Sequence, residues 1–231
     1  MKNTSRFKIL QFVIGFWLAT NLGFHPVVDA QQIIDPIRVA CLGNSITFGS
    51  GVENRSINNY PNQLQRLLGV GYEVQNYGVS GATLLNLGDK PYMKEWAYKE
   101  ALQAKPEVLI IKLGTNDSKP QNWDEYKSYF VRDYKSLINS FKNVNPNVKV
   151  FICLPVPVFG EAFGIREKVL QNEILPLVKQ IAKEENAFII DLNTPLLSHP
   201  EYFPDKIHPN AAGAKVLADL VFESLKGIKV R

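Results

Sequence analysis

The sequence of 231 residues is poor in the side chains on which several classes of protein depend. It has two cysteines, too few for a disulfide scaffold or a four-cysteine zinc site. Its three histidines leave little choice for a neutral-pH base or a histidine-rich metal centre. The formal net charge of +4 comes without a long basic run, which argues against nucleic acid as a partner. The remaining composition, 45% apolar and 21% charged, argues against disorder or a fibrous repeat.

Two familiar motifs of α/β enzymes are also missing. There is no Gly-x-Ser-x-Gly elbow and no phosphate-cradling Gly-Lys-Ser/Thr loop. These absences argue against the common α/β-hydrolase pattern and against a P-loop nucleotide site.

The first thirty residues have the pattern of a secretory signal peptide. Basic residues at the start precede a mostly apolar stretch over 9–24, and Val28 and Ala30 stand at the two positions that a signal peptidase reads. The alternative is an uncleaved membrane anchor, but the stretch is shorter than the roughly 20 residues that a span needs. We therefore expect cleavage after Ala30 and a periplasmic or secreted protein without stable membrane association. Residues 31–231 are expected to form a single domain.

Beyond residue 31, short apolar runs alternate with amphipathic stretches of helical length. The expected strands are 37–42, 73–77, 108–113, 148–154 and 187–192. The expected helices are 60–68, 92–104, 123–141, 165–185 with a kink at Pro176, and 211–225. This alternation predicts an α/β fold with a parallel sheet covered on both faces. In such sheets ligands bind beyond the carboxyl ends of the strands, so the residues that follow each strand are the candidates for function.

Those candidates form a set suited to hydrolysis. Ser45 follows the first strand, Gly81 the second and Asn116 the third, while Asp205 and His208 precede the last helix. A serine needs a base to become a nucleophile, and histidine oriented by a carboxylate is the usual one. Asp205 lies three residues before His208, so one turn can present both side chains. The N–H groups of Ser45 and Gly81 and the amide of Asn116 offer three donors for an oxyanion.

Each candidate also has an ordinary structural interpretation. A serine or glycine after a strand is common in turns, an asparagine often caps a helix, and an Asp–His pair can be a surface contact. Asp117 is expected to hold its loop or cap a helix. Cys41 and Cys153 are expected to be buried thiols rather than a disulfide, and His199 a solvated loop residue.

Taken together, these segments resemble the SGNH hydrolase superfamily, also called the GDSL esterases. Gly43-Asn44-Ser45 resembles the nucleophile block, the segment around Gly81 the second block, Gly114-Thr115-Asn116-Asp117 the third and Asp205-x-x-His208 the last. The resemblance covers about residues 37–225. Any single block is weak evidence, but four in order are specific. One departure is Asn44, which stands where the family usually has an aspartate that is not part of the triad.

The resemblance implies a flavodoxin-like three-layer α/β/α sandwich with a five-stranded parallel sheet in the order 2-1-3-4-5. It implies ester hydrolysis through an acyl-serine intermediate, with no metal and no organic cofactor. Ser45 would be the nucleophile, His208 the base and then the acid, and Asp205 the residue that orients it. Ser45, Gly81 and Asn116 would form the oxyanion hole.

The residues within and around the blocks are similar to those of secreted bacterial sequences grouped with sialate O-acetylesterases and other carbohydrate acetylesterases. The implied partner is an acetylated carbohydrate, either acetylated sialic acid or a plant or bacterial glycan. Trp123, Phe159 and Phe163 are candidates for stacking on a sugar ring, although aromatics more often fill a core. Two alternatives stay open: a lipolytic esterase or thioesterase of the same fold, and a non-catalytic glycan-binding protein on a hydrolase scaffold.

Overall fold

The computed structural model describes residues 35–227 and residue 229, so the predicted signal peptide lies outside the described residues. Five parallel strands form one sheet in the order β2-β1-β3-β4-β5, which confirms the expected topology. The strands are β1 Ile37–Gly43, β2 Tyr72–Gly78, β3 Val108–Lys112, β4 Lys149–Cys153 and β5 Phe188–Ile190. Gly43 pairs with Gly78 on one side and with Lys112 on the other. The loops that follow β1, β2 and β3 therefore start at the same edge of the sheet, its carboxyl edge.

Helices lie between the strands. They are α1 Ser45–Phe48, α2 Arg55–Asn58, α3 Tyr60–Leu68, α4 Trp96–Gln103, α5 Pro120–Tyr126, α6 Phe130–Val144, α7 Glu167–Val169, α8 Leu175–Glu184 and α9 Ala211–Leu225. α3 and α9 have the predicted bounds because both begin with a strong cap. The side chain of Asn59 accepts from the N–H of Asn62, and that of Asn210 from the N–H of Gly213.

Three predicted helices are interrupted. The helix expected over 92–104 is a 3₁₀ turn at Tyr92–Lys94 followed by α4. The helix expected over 123–141 is two helices, α5 and α6, joined by a 3₁₀ turn at Lys127–Tyr129. The helix expected over 165–185 passes from α7 through a π-helix at Leu170–Ile174 before α8 begins. Pro176 lies in the first turn of α8, where its missing N–H costs no helical hydrogen bond. The predicted irregularity is therefore a short π-helix just before the proline.

Side chains alternate between two apolar layers, one on each face of the sheet. Leu109 and Ile111 of β3 pack into the first layer with residues of α4, α6 and α8. Val108 and Ile110 pack into the second layer with residues of α3 and α9. Both faces are thus covered, as the continuous apolar runs of the strands predict.

The two cysteines, Cys41 and Cys153, are buried and free, as expected for strands that β3 separates. Within the described residues, no helix combines the length and the apolar character needed to cross a membrane.

Candidate active site

Ser45 is the first residue of α1, a single helical turn that the sequence analysis did not anticipate. Asn44 caps it, with its side-chain oxygen accepting from the N–H of Ile46 at 3.1 Å. Gly43, at the end of β1, leaves no room for a side chain, because a Cβ there would collide with Thr47. This sharp turn from strand to helix places Ser45 at the carboxyl edge of the sheet. As the first helical residue, its N–H has no intrahelical acceptor.

A continuous hydrogen-bonded chain joins Ser45 to Asp205. The Nε2 atom of His208 is 2.8 Å from Oγ of Ser45, and its Nδ1 atom is 2.7 Å from Oδ2 of Asp205. Oδ1 of Asp205 accepts from the N–H groups of Ile207 at 3.0 Å and His208 at 2.7 Å. The turn before α9 therefore presents the carboxylate and the imidazole together, as the three-residue spacing predicts.

The environment of Asp205 keeps it ionised. Partial burial opposes ionisation, but the hydrogen bonds from the backbone and imidazole of His208 and from the backbone of Ile207 outweigh it. The result is a pKa below the usual value for an aspartate. An ionised Asp205 accepts only, so the imidazole carries its proton on Nδ1 and leaves Nε2 free to accept from the Ser45 hydroxyl.

Three hydrogen-bond donors are available on the loops that follow β1, β2 and β3. Gly81 lies in a turn closed by a hydrogen bond from the N–H of Ala82 to the oxygen of Val79 at 3.1 Å. The N–H groups of Ser45 and Gly81 donate to no described group. Nδ2 of Asn116 donates one hydrogen to the oxygen of Ala82 at 3.0 Å and keeps the second. The three predicted donors thus come from the loops after β1, β2 and β3, which begin at one edge.

Buried carboxylates hold the loop that follows Gly81. Asp117 accepts from the N–H groups of Leu84 at 3.0 Å and Leu85 at 2.8 Å, so it has the expected structural role but holds the loop after Gly81 rather than its own. Asp133, on α6, accepts from the N–H of Asn86 at 2.8 Å. Burial raises the pKa of Asp117 to about 6, although its backbone hydrogen bonds act in the opposite direction. Only the third motif hinted at Asp117, and no sequence signal marked Asp133.

Two of the three predicted aromatic contacts lie on the His208 side of the site. Phe163 has its ring 5.7 Å from the imidazole of His208 and is 64% exposed. Its φ of +53° is a conformation that bulky residues rarely adopt. Phe159 is partly buried and packs against Phe203 at 5.2 Å between ring centroids. Phe163 is therefore the aromatic side chain with a face free for a ligand.

Trp123 does not offer such a face. Its side chain is only 1% exposed and packs edge-on against Phe130. Its indole N–H donates to Oε2 of Glu173 at 2.8 Å, so the polar group of the ring is also occupied. We therefore leave Trp123 out of the substrate face for which the sequence suggested it.

A family model described as the GDSL-like Lipase/Acylhydrolase family matches residues 41–216, a range that holds all the residues of the hydrogen-bonded chain and its donors. The chain belongs to this family. The four blocks of the sequence are thus the motifs of a GDSL-like protein.

Relatives and solved structures agree with this membership. An acetylxylan esterase of Xylanibacter ruminicola is 43% identical, and the match covers 83% of this chain and 44% of the relative, so the chain spans less than half of that protein. The fold is similar to a lipase/acylhydrolase from Enterococcus faecalis, with a TM-score of 0.68, 21% identity and coverage of 84% of this chain and 98% of the other. It is also similar to an acetyl xylan esterase, with a TM-score of 0.64, 20% identity and coverage of 82% and 100%.

Proposed function

We propose that this GDSL-like chain is a serine esterase that removes O-acetyl groups from carbohydrate through an acyl-serine intermediate. The observation that carries the proposal is the hydrogen-bonded chain from Ser45 through His208 to Asp205, together with three available donors. A nucleophile bonded to its base, a base bonded to its orienting group and a set of oxyanion donors are together what acyl transfer requires.

In this mechanism Oγ of Ser45 attacks the acetyl carbonyl carbon while Nε2 of His208 takes its proton. The tetrahedral oxyanion accepts from the N–H groups of Ser45 and Gly81 and from Nδ2 of Asn116. The bond to the sugar oxygen then breaks, and His208 delivers its proton to that oxygen. A water molecule, deprotonated by His208, attacks the acetyl-serine, and acetate leaves as the proton returns to Ser45.

The position of Phe163 supports a sugar as the leaving group. His208 protonates the departing oxygen, so a side chain that flanks His208 also flanks the sugar. An exposed aromatic ring there offers an apolar face to a pyranose ring. The acetylxylan esterase relative favours acetylated xylan as the first substrate to test. Acetylated sialic acid is the second, because the sequence resembles sialate O-acetylesterases as well.

The test is acetate release from acetylated xylan, sialic acid, pectin and chitin-type substrates, with Ser45→Ala as the control. We expect release from xylan and none from the variant. A series of p-nitrophenyl esters separates acetylesterase from lipolytic activity, since good turnover of long acyl chains would count against the proposal. A non-catalytic glycan-binding protein would bind xylan but would not label with a fluorophosphonate at Ser45.

Phe163→Ala tests the substrate face. We expect KM for acetylated xylan to rise about threefold to tenfold, since one aromatic contact contributes on the order of 1 kcal/mol. The rate constants for p-nitrophenyl acetate should change less than twofold, because that substrate has no sugar. Phe188→Ala, which removes an exposed ring from β5, is the matched control. Equal effects of Phe163→Ala on both substrates would contradict a role in sugar binding.

We also propose that residues 1–30 are a cleaved signal peptide that directs a single domain, residues 31–231, to the periplasm or outside the cell. N-terminal sequencing of the exported protein tests this, with Gln31 expected as the first residue.

A further inference from the structure

We propose that Lys90 is a positioning residue of the oxyanion hole, which it serves by fixing the peptide group between Ser80 and Gly81. The ammonium of Lys90 donates to the carbonyl oxygen of Ser80 at 3.0 Å. That carbonyl and the N–H of Gly81 belong to the same peptide group. The inference rests on the proposed function, because it takes the Gly81 N–H as an oxyanion donor.

The turn that carries Gly81 can hold this peptide group in two orientations. Ser80 and Gly81 are the central residues of the turn closed between Val79 and Ala82. The φ of Gly81 is +82° while that of Ser80 is not positive, which is the pattern of a type II turn. A type I turn differs mainly by a rotation of the central peptide through about 180°. Such a rotation would point the Gly81 N–H away from its present direction.

The Lys90 ammonium selects one of these orientations. In a trans peptide group the carbonyl oxygen and the N–H point in opposite directions. An ammonium held on the Ser80 oxygen therefore keeps the Gly81 N–H on the opposite side. It also polarises the peptide group, because a carbonyl that accepts a charged hydrogen bond leaves its N–H a stronger donor.

The backbone around Lys90 is itself fixed, so the ammonium acts from a rigid base. The carbonyl of Lys90 accepts from the N–H of Thr83 at 2.8 Å, and the N–H of Tyr92 donates to the oxygen of Thr83 at 2.9 Å. The methylene groups of Lys90 run along the turn, with Cδ 3.6 Å from the point where a Cβ on Gly81 would lie. Lys90, the last residue of the loop over 82–90, thus contacts the turn at which that loop begins.

The charge of Lys90 is not taken up by a neighbouring acid. Among the residues that the structure describes, no carboxylate lies within ion-pair distance of its ammonium. Asp89, its neighbour in sequence, lies 3.6 Å from the ammonium of Lys119 and accepts from the amides of Gln121 and Asn122. The Ser80 carbonyl is therefore the acceptor that the structure gives Lys90.

The experiment compares Lys90→Met, Lys90→Gln and Lys90→Arg on p-nitrophenyl acetate. Removing an oxyanion donor outright costs about 10²–10³ in rate, so loosening one should cost roughly tenfold in kcat. We expect Lys90→Met to lose that factor with KM changed less than twofold, and Lys90→Arg to recover most of it. A small boronic acid, which forms a tetrahedral adduct on Ser45, should bind to Lys90→Met about tenfold more weakly.

Lys94→Met is the matched control, since Lys94 lies in the same segment and its ammonium makes no hydrogen bond to a described residue. Wild-type kcat and boronate affinity in Lys90→Met would overturn the inference about Lys90. The esterase proposal would still stand in that case, provided that Ser45→Ala is inactive. Activity retained by Ser45→Ala would overturn both. If Lys90→Met does not fold, equal kcat for Lys90→Gln and Lys90→Arg overturns the inference.

Discussion

The two sides of the carboxyl edge of the sheet differ in how their buried polar side chains are hydrogen-bonded. On the side of the loop over 82–90, the buried side chains of Asp117, Asp133 and Asn122 all bond to backbone groups. On the side of α1 and α3, Nδ2 of Asn44 and Nζ of Lys112 have no hydrogen-bond partner within the described chain, and the hydroxyl of Tyr60 has Thr47 and the thiol of Cys41 as polar neighbours. Two more buried atoms without a described partner belong to Thr115 and to Tyr134, whose ring packs in the same apolar layer as Leu84 and Leu85.

On the first side, the hydrogen bonds fix the position of a loop. On the second side, unpaired polar atoms lower the stability of the fold. A buried carboxylate that bonds two backbone N–H groups holds a loop in one place, and that loop leads from Gly81 to Lys90. An unpaired buried donor loses its bonds to water and gains nothing in return. The strongest case is Lys112, which is fully buried at the end of β3 near Cys153. Burial lowers the pKa of Lys112 to about 8.

The largest effect is expected at the triad, which spans both sides. Ser45→Ala or His208→Ala should reduce kcat at least about 10³-fold, because the nucleophile and its base act as one unit. Circular dichroism should show an unchanged fold. His199→Ala is the control, since His199 is exposed and pairs with Glu201 in a loop. Substantial turnover by His208→Ala would show that another group serves as the base.

The second effect tests the well-bonded side. Asp117→Ala leaves the buried N–H groups of Leu84 and Leu85 unpaired, at a cost of about 1–3 kcal/mol each. Urea denaturation should show a loss of that order, together with a lower kcat because Asn116 is the adjacent residue. Asp124→Ala, which removes an exposed carboxylate from α5, is the control. An unchanged unfolding free energy would mean that these N–H groups find other acceptors.

The pH dependence of stability sharpens the same comparison. The pKa of Asp117 is about 6 in the folded protein, whereas the ordinary value of 3.8 applies in the unfolded chain. The folded state therefore binds the proton more tightly. The contribution of Asp117 to stability is therefore fully present below pH 4 and is lost as the pH rises through about 6. We expect the difference in unfolding free energy between wild type and Asp117→Ala to be larger at pH 4 than at pH 7.

The smallest effect, and the only gain, is expected on the unpaired side. Lys112→Met keeps the length of the side chain and removes a buried charge, so it should stabilise the protein by about 1–3 kcal/mol at pH 7. The depressed pKa means that the wild type regains this stability as the pH rises above about 8. Thermal unfolding at pH 6.5 and pH 9 measures both. A lower melting temperature for Lys112→Met would show that the ammonium has a partner.

Patterns local in sequence were enough to predict a parallel sheet covered on both faces, whereas its strand order and the triad roles came from the family resemblance. β1 to β5 are apolar runs, α3 and α9 have clear caps, and Ser45, Asp205 and His208 lie in recognisable blocks. Lys90 escaped prediction because its contact with Ser80 depends on the path of the loop over 82–90, which the hydrogen bond from the N–H of Thr83 to the oxygen of Lys90 closes. The burial of the Lys112 ammonium also escaped prediction. The apolar run of β3 predicts a strand, but it does not tell whether the lysine at the end of that strand reaches water.

Trp123 shows a different limit. Its position near the loop after β3 made it a candidate for the substrate face, but its side chain is buried against Phe130 in the apolar layer. The partner of the indole N–H, Glu173, comes from the π-helix 50 residues later. No spacing rule within one segment connects two such elements.

The hydrogen bond between Ser45 and His208 joins residues 163 positions apart, near the two ends of the described region. α9 packs against α3, and Gln63 donates to the backbone of Ala211 at 3.2 Å. A nascent chain that extends only to β5 therefore holds the proposed nucleophile without its proposed base. Under the proposed function, esterase activity begins only after the segment that carries His208 has been made and has packed against the sheet, so activity reports a late step of folding.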